Sequence, residues 1–191
     1  MEFCELLKKR RTVRRFKQVQ VFDKDIRYIL EAARVVSCGG NVQKLRYIVA
    51  RDKQLVKDIF ENTAWAGMVS PKRSPEWGKN APLTFIIVTA PRDSEEVVQA
   101  NAGAAVQSME YAAVDAGLGA CWIGAYKKEN VEKILDLPAH EEALYLLAVG
   151  YPDEEPVQED IDLDESMKYY LDDEDILHVP KLKTDAITQW R

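Results

Sequence analysis

Residues 83–90, Leu-Thr-Phe-Ile-Ile-Val-Thr-Ala, are an almost unbroken apolar run rich in β-branched side chains. Such a run is too short and too branched for a helix of the core and reads as a strand buried inside a sheet. Three further stretches read as strands: 47–50, 120–125 (ACWIGA) and 143–149 (ALYLLAV). The segments between them carry helical spacing instead. Phe3, Leu6 and Leu7 mark a short helix over 2–9. Ile26, Ile29, Leu30 and Ala33 form the stripe of a helix capped by Asp23 and running to about Val35. Asp52 is placed to cap a third, with Leu55, Val56, Ile59 and Phe60 facing inward. An alanine-rich helix is expected over 94–116, where Gly103, Ala104, Ala105, Ala112 and Ala113 permit close approach of other backbone, and Gly117 ends it. Residues 128–135 complete the set. The order is α-α-β-α-β-α-β-α-β followed by a tail, a mixed α/β chain around a central sheet.

The chain has 191 residues, a length that suits one domain, since domains usually run to about 100–200 residues. With 47% hydrophobic residues it can bury a core without disulfides. No stretch approaches the roughly 18 apolar residues of a membrane span, and MEFCELLKKRR lacks the apolar centre of a signal peptide, so a cytoplasmic protein is expected. Cys4, Cys38 and Cys121 are scattered and only two histidines exist, His140 and His178, so no metal site is expected. The net charge of −6 argues against nucleic acid. Residues 62–81 show no period and hold Trp65, Met68 and Trp77; a loop this long is usually functional or mobile. The tail, 153–191, is acidic yet carries Tyr169, Tyr170, Leu171, Ile176, Leu177, Val179 and Trp190. So many large apolar groups suit an arm that packs on something, plausibly another subunit.

Three constellations carry chemistry. Within an acidic chain, Arg10-Arg11-Thr12-Val13-Arg14 is densely basic. Guanidinium forks match phosphate oxygens two at a time, and Thr12 adds a hydroxyl, so the segment can hold a phosphate monoester. A solvated basic patch is the alternative. The loop 37–43 sets Asn41 and Gln43 beside paired glycines; it can hydrogen-bond the edge of a heterocycle, or the glycines can simply cap a helix. Gly117-Leu118-Gly119-Ala120-Cys121-Trp122-Ile123-Gly124 allows backbone to approach a flat ligand, or is a helix stop and a buried strand with Cys121 as a core thiol. It is not a dinucleotide-binding glycine fingerprint.

Together these segments resemble the nitroreductase family of FMN-dependent oxidoreductases. Arg10–Phe16 is similar to its opening Arg-Arg-Ser-x-Arg-x-Phe, and residues 29–34 to its next helix. Asn41-Val42-Gln43 is similar to its Asn-x-Gln loop, and Ala81-Pro82 to the start of its next strand. Ala104-Ala105-Val106-Gln107, Gly117–Gly124 and Gly150-Tyr151-Pro152 complete the series over about residues 3–152. Three departures stand out. Lys44-Leu45 replaces the frequent Pro-Trp, Cys38 stands where many members have Ser, and the late basic residue of the phosphate site has only Lys181 or Lys183 as candidates.

The resemblance implies an α+β fold: a mostly antiparallel central sheet flanked by helices, in an intertwined homodimer with swapped C-terminal arms. It implies a single FMN-binding domain over 1–191, with 1–152 as core and 153–191 as arm. Arg10, Arg11, Thr12 and Arg14 would hold the phosphate and ribityl chain, with Lys181 or Lys183. Ser37 and Cys38 would also bind the cofactor, Asn41 and Gln43 would approach the ring from the other protomer, and the backbone at Ile123 and Gly124 would face flavin N5. Trp65 and Met68 would shape the substrate side. Hydride would pass from NADH or NADPH through the flavin to a small organic acceptor (nitroaromatic, quinone or enone) by a ping-pong mechanism, with no catalytic side chain. A flavin carrier or sensor without turnover, and a reductive dehalogenase or flavin-fragmenting enzyme on the same scaffold, are the alternatives.

Overall fold

The computed structural model describes residues 2–67, 69 and 73–191. Its centre is a four-stranded antiparallel sheet in the order β1-β2-β4-β3, made of Arg46–Ala50 (β1), Thr84–Pro91 (β2), Gly119–Ile123 (β3) and Glu141–Gly150 (β4). The two most apolar strands, β2 and β4, are the inner pair, and β2 is buried from Thr84 to Ala90. Alternate side chains of a strand point to opposite faces, so each face has its own core. Ile86, Val88, Leu147 and Val149 meet α2 (Asp23–Val35) and α4 (Glu96–Asp115). Phe85, Ile87, Leu146 and Ala148 meet α3 (Lys53–Phe60) and α5 (Lys128–Ile134). Between Val88 and Thr89 the register with β4 shifts, leaving Leu144 as an extra residue, a bulge that bends the strand. The expected α+β architecture, an antiparallel sheet flanked by helices, is the one observed.

The helix ends show which local signals decide. Asp52 caps α3 as expected, accepting from the amides of Gln54 and Leu55 at 3.0 Å each. Asp23 does not cap α2. The helix begins with Asp23 itself, Phe22 holds the cap position without a side-chain bond, and the Asp23 carboxylate is drawn to Arg51. An ion pair across the fold has outcompeted the local cap. Gly117 ends α4 at φ 76°, a left-handed conformation that a side chain would oppose. Among the described residues no helix is long and apolar enough to cross a membrane.

The tail has more order than its weak periodicity suggested. Val157–Ile161 (β5), Tyr170–Leu171 (β6) and Leu177–Leu182 (β7) form a second sheet in the order β5-β7-β6, followed by the short helix α6, Thr184–Ile187. Leu177 is buried against Ala66 and Val69, with Tyr169, Leu171 and Val179 around it. Ile187 and Trp190 stay exposed, Trp190 at 91%.

The arginine-bearing segment follows α1 (Phe3–Lys9) and lies across the end of the main sheet. The Val13 amide donates to Ala120 O (2.9 Å), that of Phe16 to Asn80 O (2.9 Å) and that of Lys17 to Tyr151 O (2.8 Å). Gly119 and Gly150 face each other across β3 and β4, leaving a slot without side chains. A Cβ on Gly119 would sit 2.8 Å from Val13, and one on Gly150 2.9 Å from the Phe16 ring. Two glycines in register therefore create the seat for the segment. Gly119→Ala is expected to cost about 1–3 kcal/mol through overpacking, seen as a Tm several degrees lower in thermal unfolding. Gly103→Ala should leave Tm unchanged or raise it, because an added methyl there would stop 3.5 Å from Trp122 and the helix gains about 1 kcal/mol in propensity.

Candidate functional site

The seat of residues 12–17 fixes where the preceding arginines reach. Neighbouring side chains of an extended segment point to different sides, and here they part. Arg11, Val13 and Lys17 line a cavity of about 1010 Å³ between α1, the turn 117–119 and residues 152–160; Arg10, Thr12 and Arg14 are not in its lining. Arg11 Nη2 donates to Leu7 O at 3.0 Å, closing the C-terminal turn of α1. Its Nε has no partner, and burial, then the neighbouring charge of Arg10, lowers its pKa. Arg10 turns instead to Glu110 of α4, with Nη1 3.5 Å from Oε2. Glu110 is buried; desolvation raises its carboxyl above the usual range, opposed by Arg10, a hydrogen bond from the Trp122 backbone and Arg11. Arg11 thus lines the cavity while Arg10, Thr12 and Arg14 do not, and Arg10 and Arg11 both bear on Glu110.

Arg14 is half-buried and its backbone is pinned. Glu154 Oε1 accepts from the amides of Arg14 (2.5 Å) and Arg15 (3.2 Å), and Oε2 from Arg73 Nε (3.0 Å). Arg73 also binds Asp175, donating to its carbonyl at 2.9 Å and its Oδ1 at 2.7 Å. The side chains of Glu154 and Arg73 are both buried, so among the described residues their charges are satisfied by each other and these bonds. Neither residue carries a local sequence pattern, and nothing short of the fold reveals them.

The loop 37–43 is fixed by α4. Buried Asn101 accepts from the Gly39 amide at 2.9 Å and donates to Cys38 Sγ at 3.3 Å, where the Gln43 amide also donates at 3.3 Å. The glycines do not cap α2, which ends at Val35; they open a separate 3₁₀ turn, Gly39–Asn41. Asn41 and Gln43 take positive φ, 51° and 44°, a conformation that Asn adopts more readily than Gln. Their side chains are exposed and bonded to each other at 2.9 Å. Ser37 is exposed beside them. Lys44, in place of the frequent proline, is ion-paired with Glu95 at 2.5 Å.

At the end of β3, Ile123 is buried while Gly124 is exposed with nothing within 4 Å of a Cβ built there, an open face for a flat group. Burial pushes the Cys121 thiol up to about 12, which suits a core thiol and not a nucleophile. Trp65 points inward: its Nε1 donates to Thr63 Oγ1 at 2.6 Å and its ring lies 5.9 Å from that of Phe60. Met68 lies outside the described residues. Lys181 is exposed on β7 opposite Asp160, and Lys183 Nζ is paired with Asp162 at 2.6 Å. Neither lysine joins Arg10 or Arg14 in the single chain.

The chain is similar to known proteins in sequence and in fold. Residues 7–151 match the model of the nitroreductase family. A candidate NADH dehydrogenase/NAD(P)H nitroreductase of Archaeoglobus fulgidus is 27% identical over 81% of this chain and 88% of its own. An iodotyrosine deiodinase of Thermotoga neapolitana is 29% identical over 78% of this chain and 88% of its own. Among solved structures, an FMN-dependent nitroreductase from Clostridium difficile R20291 superposes with a TM-score of 0.70 at 22% identity, covering 81% of this chain and 90% of that one. With the motif order, the sheet and the family match in agreement, the chain belongs to the nitroreductase family of oxidoreductases.

Proposed function

We propose that the protein binds FMN in a homodimer and passes hydride from NADH or NADPH to a small organic acceptor, such as a nitroaromatic, quinone or enone. The observation that carries this reading is the seating of Arg10, Thr12 and Arg14 beside the strand that ends in the open face at Gly124. The donor set fits the group. Two guanidiniums and a hydroxyl suit a phosphate monoester, and a strand end without a side chain suits a flat ring. FMN supplies reversible hydride acceptance when bound, so the scarcity of histidine is no obstacle.

The chain's own residues bind and orient. Arg10, Thr12 and Arg14 hold the phosphate end, with Lys181 or Lys183 of the arm as a further cation. Arg11 supports from the other side by closing α1. The backbone at Ile123 and Gly124 presents to the reactive edge of the ring. The loop bearing Ser37, Cys38, Asn41 and Gln43, rigid and exposed, serves a ring held partly by the other protomer. The exposed Ile187 and Trp190 suit an arm that exchanges between copies. A cytoplasmic location agrees with this use of reduced nicotinamides. Reductive dehalogenation is the second reading, favoured by the iodotyrosine deiodinase relative.

Purified protein incubated with FMN should turn yellow, bleach with NADH or NADPH under argon, and regain colour with a quinone. Iodide release from an iodotyrosine, without quinone reduction, would move the assignment to the second reading; protein that takes up no FMN would overturn both. Arg14→Ala should weaken FMN binding by about 2–5 kcal/mol, the cost of removing one partner of a buried charge pair. Arg11→Ala should lower Tm and change FMN affinity far less. Fluorescence titration and thermal melts of the two variants check the division between them.

A further inference from the structure

Glu110 is a carboxylate buried in the body of α4, with no task in the proposed reaction. Its side chain is 4% exposed, and that of Arg10, its ion-pair partner at 3.5 Å, is 18% exposed. Burying a carboxylate in a helix face carries a desolvation cost that an apolar residue would avoid. The 3.5 Å separation is an ion pair and not a tight hydrogen bond. The Arg10 guanidinium, the more exposed of the two, carries a fork of five N–H donors beside this carboxylate.

We propose that Glu110 is a positioning residue for Arg10, and that its carboxylate takes up a proton from solvent when a phosphate monoester docks on the arginine segment. This rests on the FMN reading above. The groups bearing on Glu110 are few. Arg10 and Arg11 act from the N-terminal segment, and the Trp122 backbone hydrogen bond comes from β3. Cys121 on β3 feels the Glu110 charge but is itself a neutral thiol, and Tyr111, next along α4, bears on Arg11. From α2, Tyr28 engages Asp115 more than a turn further along. Without ligand, desolvation favours the neutral carboxyl and the two arginines favour the ionised one. A phosphate on Arg10 brings a second anion to the same cation and repels the first, which favours the protonated carboxyl. The complex then binds more protons than the free protein, so affinity rises as pH falls through that window.

The test is fluorescence titration of FMN and of riboflavin into the wild type and Glu110→Gln over a range of pH. The ratio is read above about pH 7, where the phosphate, with a second pKa of about 6, is a dianion toward both proteins. FMN should bind Glu110→Gln more tightly than wild type by about fivefold or more in mild alkali, and the advantage should shrink as the pH falls toward neutral. Riboflavin, lacking phosphate, should show no such trend. Glu110→Asp, which keeps the charge, should retain the wild-type pH slope and serves if the glutamine variant does not fold. A ratio that is flat with pH, or uniformly weaker binding by Glu110→Gln, would overturn the proposal. If FMN binds and Arg14→Ala weakens it while the ratio stays flat, only the role of Glu110 falls; if no protein binds FMN, the reading beneath it falls too.

Discussion

The seat formed by Gly119 and Gly150 governs the rest of the molecule. Facing each other across two paired strands, they leave room for Val13 and Phe16, and that room lets a segment of many like charges lie against a sheet. A charged segment gains little from such contact by itself. Its apolar members supply the adhesion, with Val13 and Phe16 both buried, and the arginines are carried into place by their neighbours. The site is thus positioned by hydrophobic burial and defined by electrostatics, two effects of different range acting on alternate residues of one strand-like stretch.

The separation of Arg11 from Arg10 follows from the same alternation. Both are arginines, adjacent in sequence, yet one closes a helix end and the other faces a buried carboxylate. Residue type alone grouped them, and backbone direction divided them. Chemistry inferred from a cluster of charges in sequence holds only as far as the local conformation lets the side chains converge.

Much of the fold was legible because its signals are local. The four strands, the long helix 96–115 and the Asp52 cap depend on residues within a few positions of one another. The misread cap at Asp23 shows the limit: Arg51 lies 28 positions away and no window reaches it. The tail sheet was hidden for a similar reason, since β5 pairs with β7 across an intervening loop and β6 has only two residues. Of the candidate site, the arginine segment and the strand ending at Gly124 were proposed from their motifs, and the structure sets them side by side. Glu110, Glu154 and Arg73 could not, because each is a single charge whose meaning comes from a partner elsewhere, 140 positions distant in the bond from Arg14 to Glu154. Trp65, an aromatic in an irregular stretch, packs into the interior through contacts that no local pattern announces.

The Glu154–Arg73–Asp175 bonds bind three stretches of chain that share no secondary structure. Because Glu154 and Arg73 are sealed from water, the loss of either strands the other's charge rather than merely removing a contact, whereas the exposed Asp175 carboxylate can be lost with that pair intact. Glu154 and Arg73 can therefore change only in concert, while the tail reaches Arg73 partly through the Asp175 backbone carbonyl, which any side chain leaves in place. The end of the polypeptide is thus moored by its main chain as well as by a carboxylate, which leaves the identity of residue 175 freer to drift than the path of the chain around it.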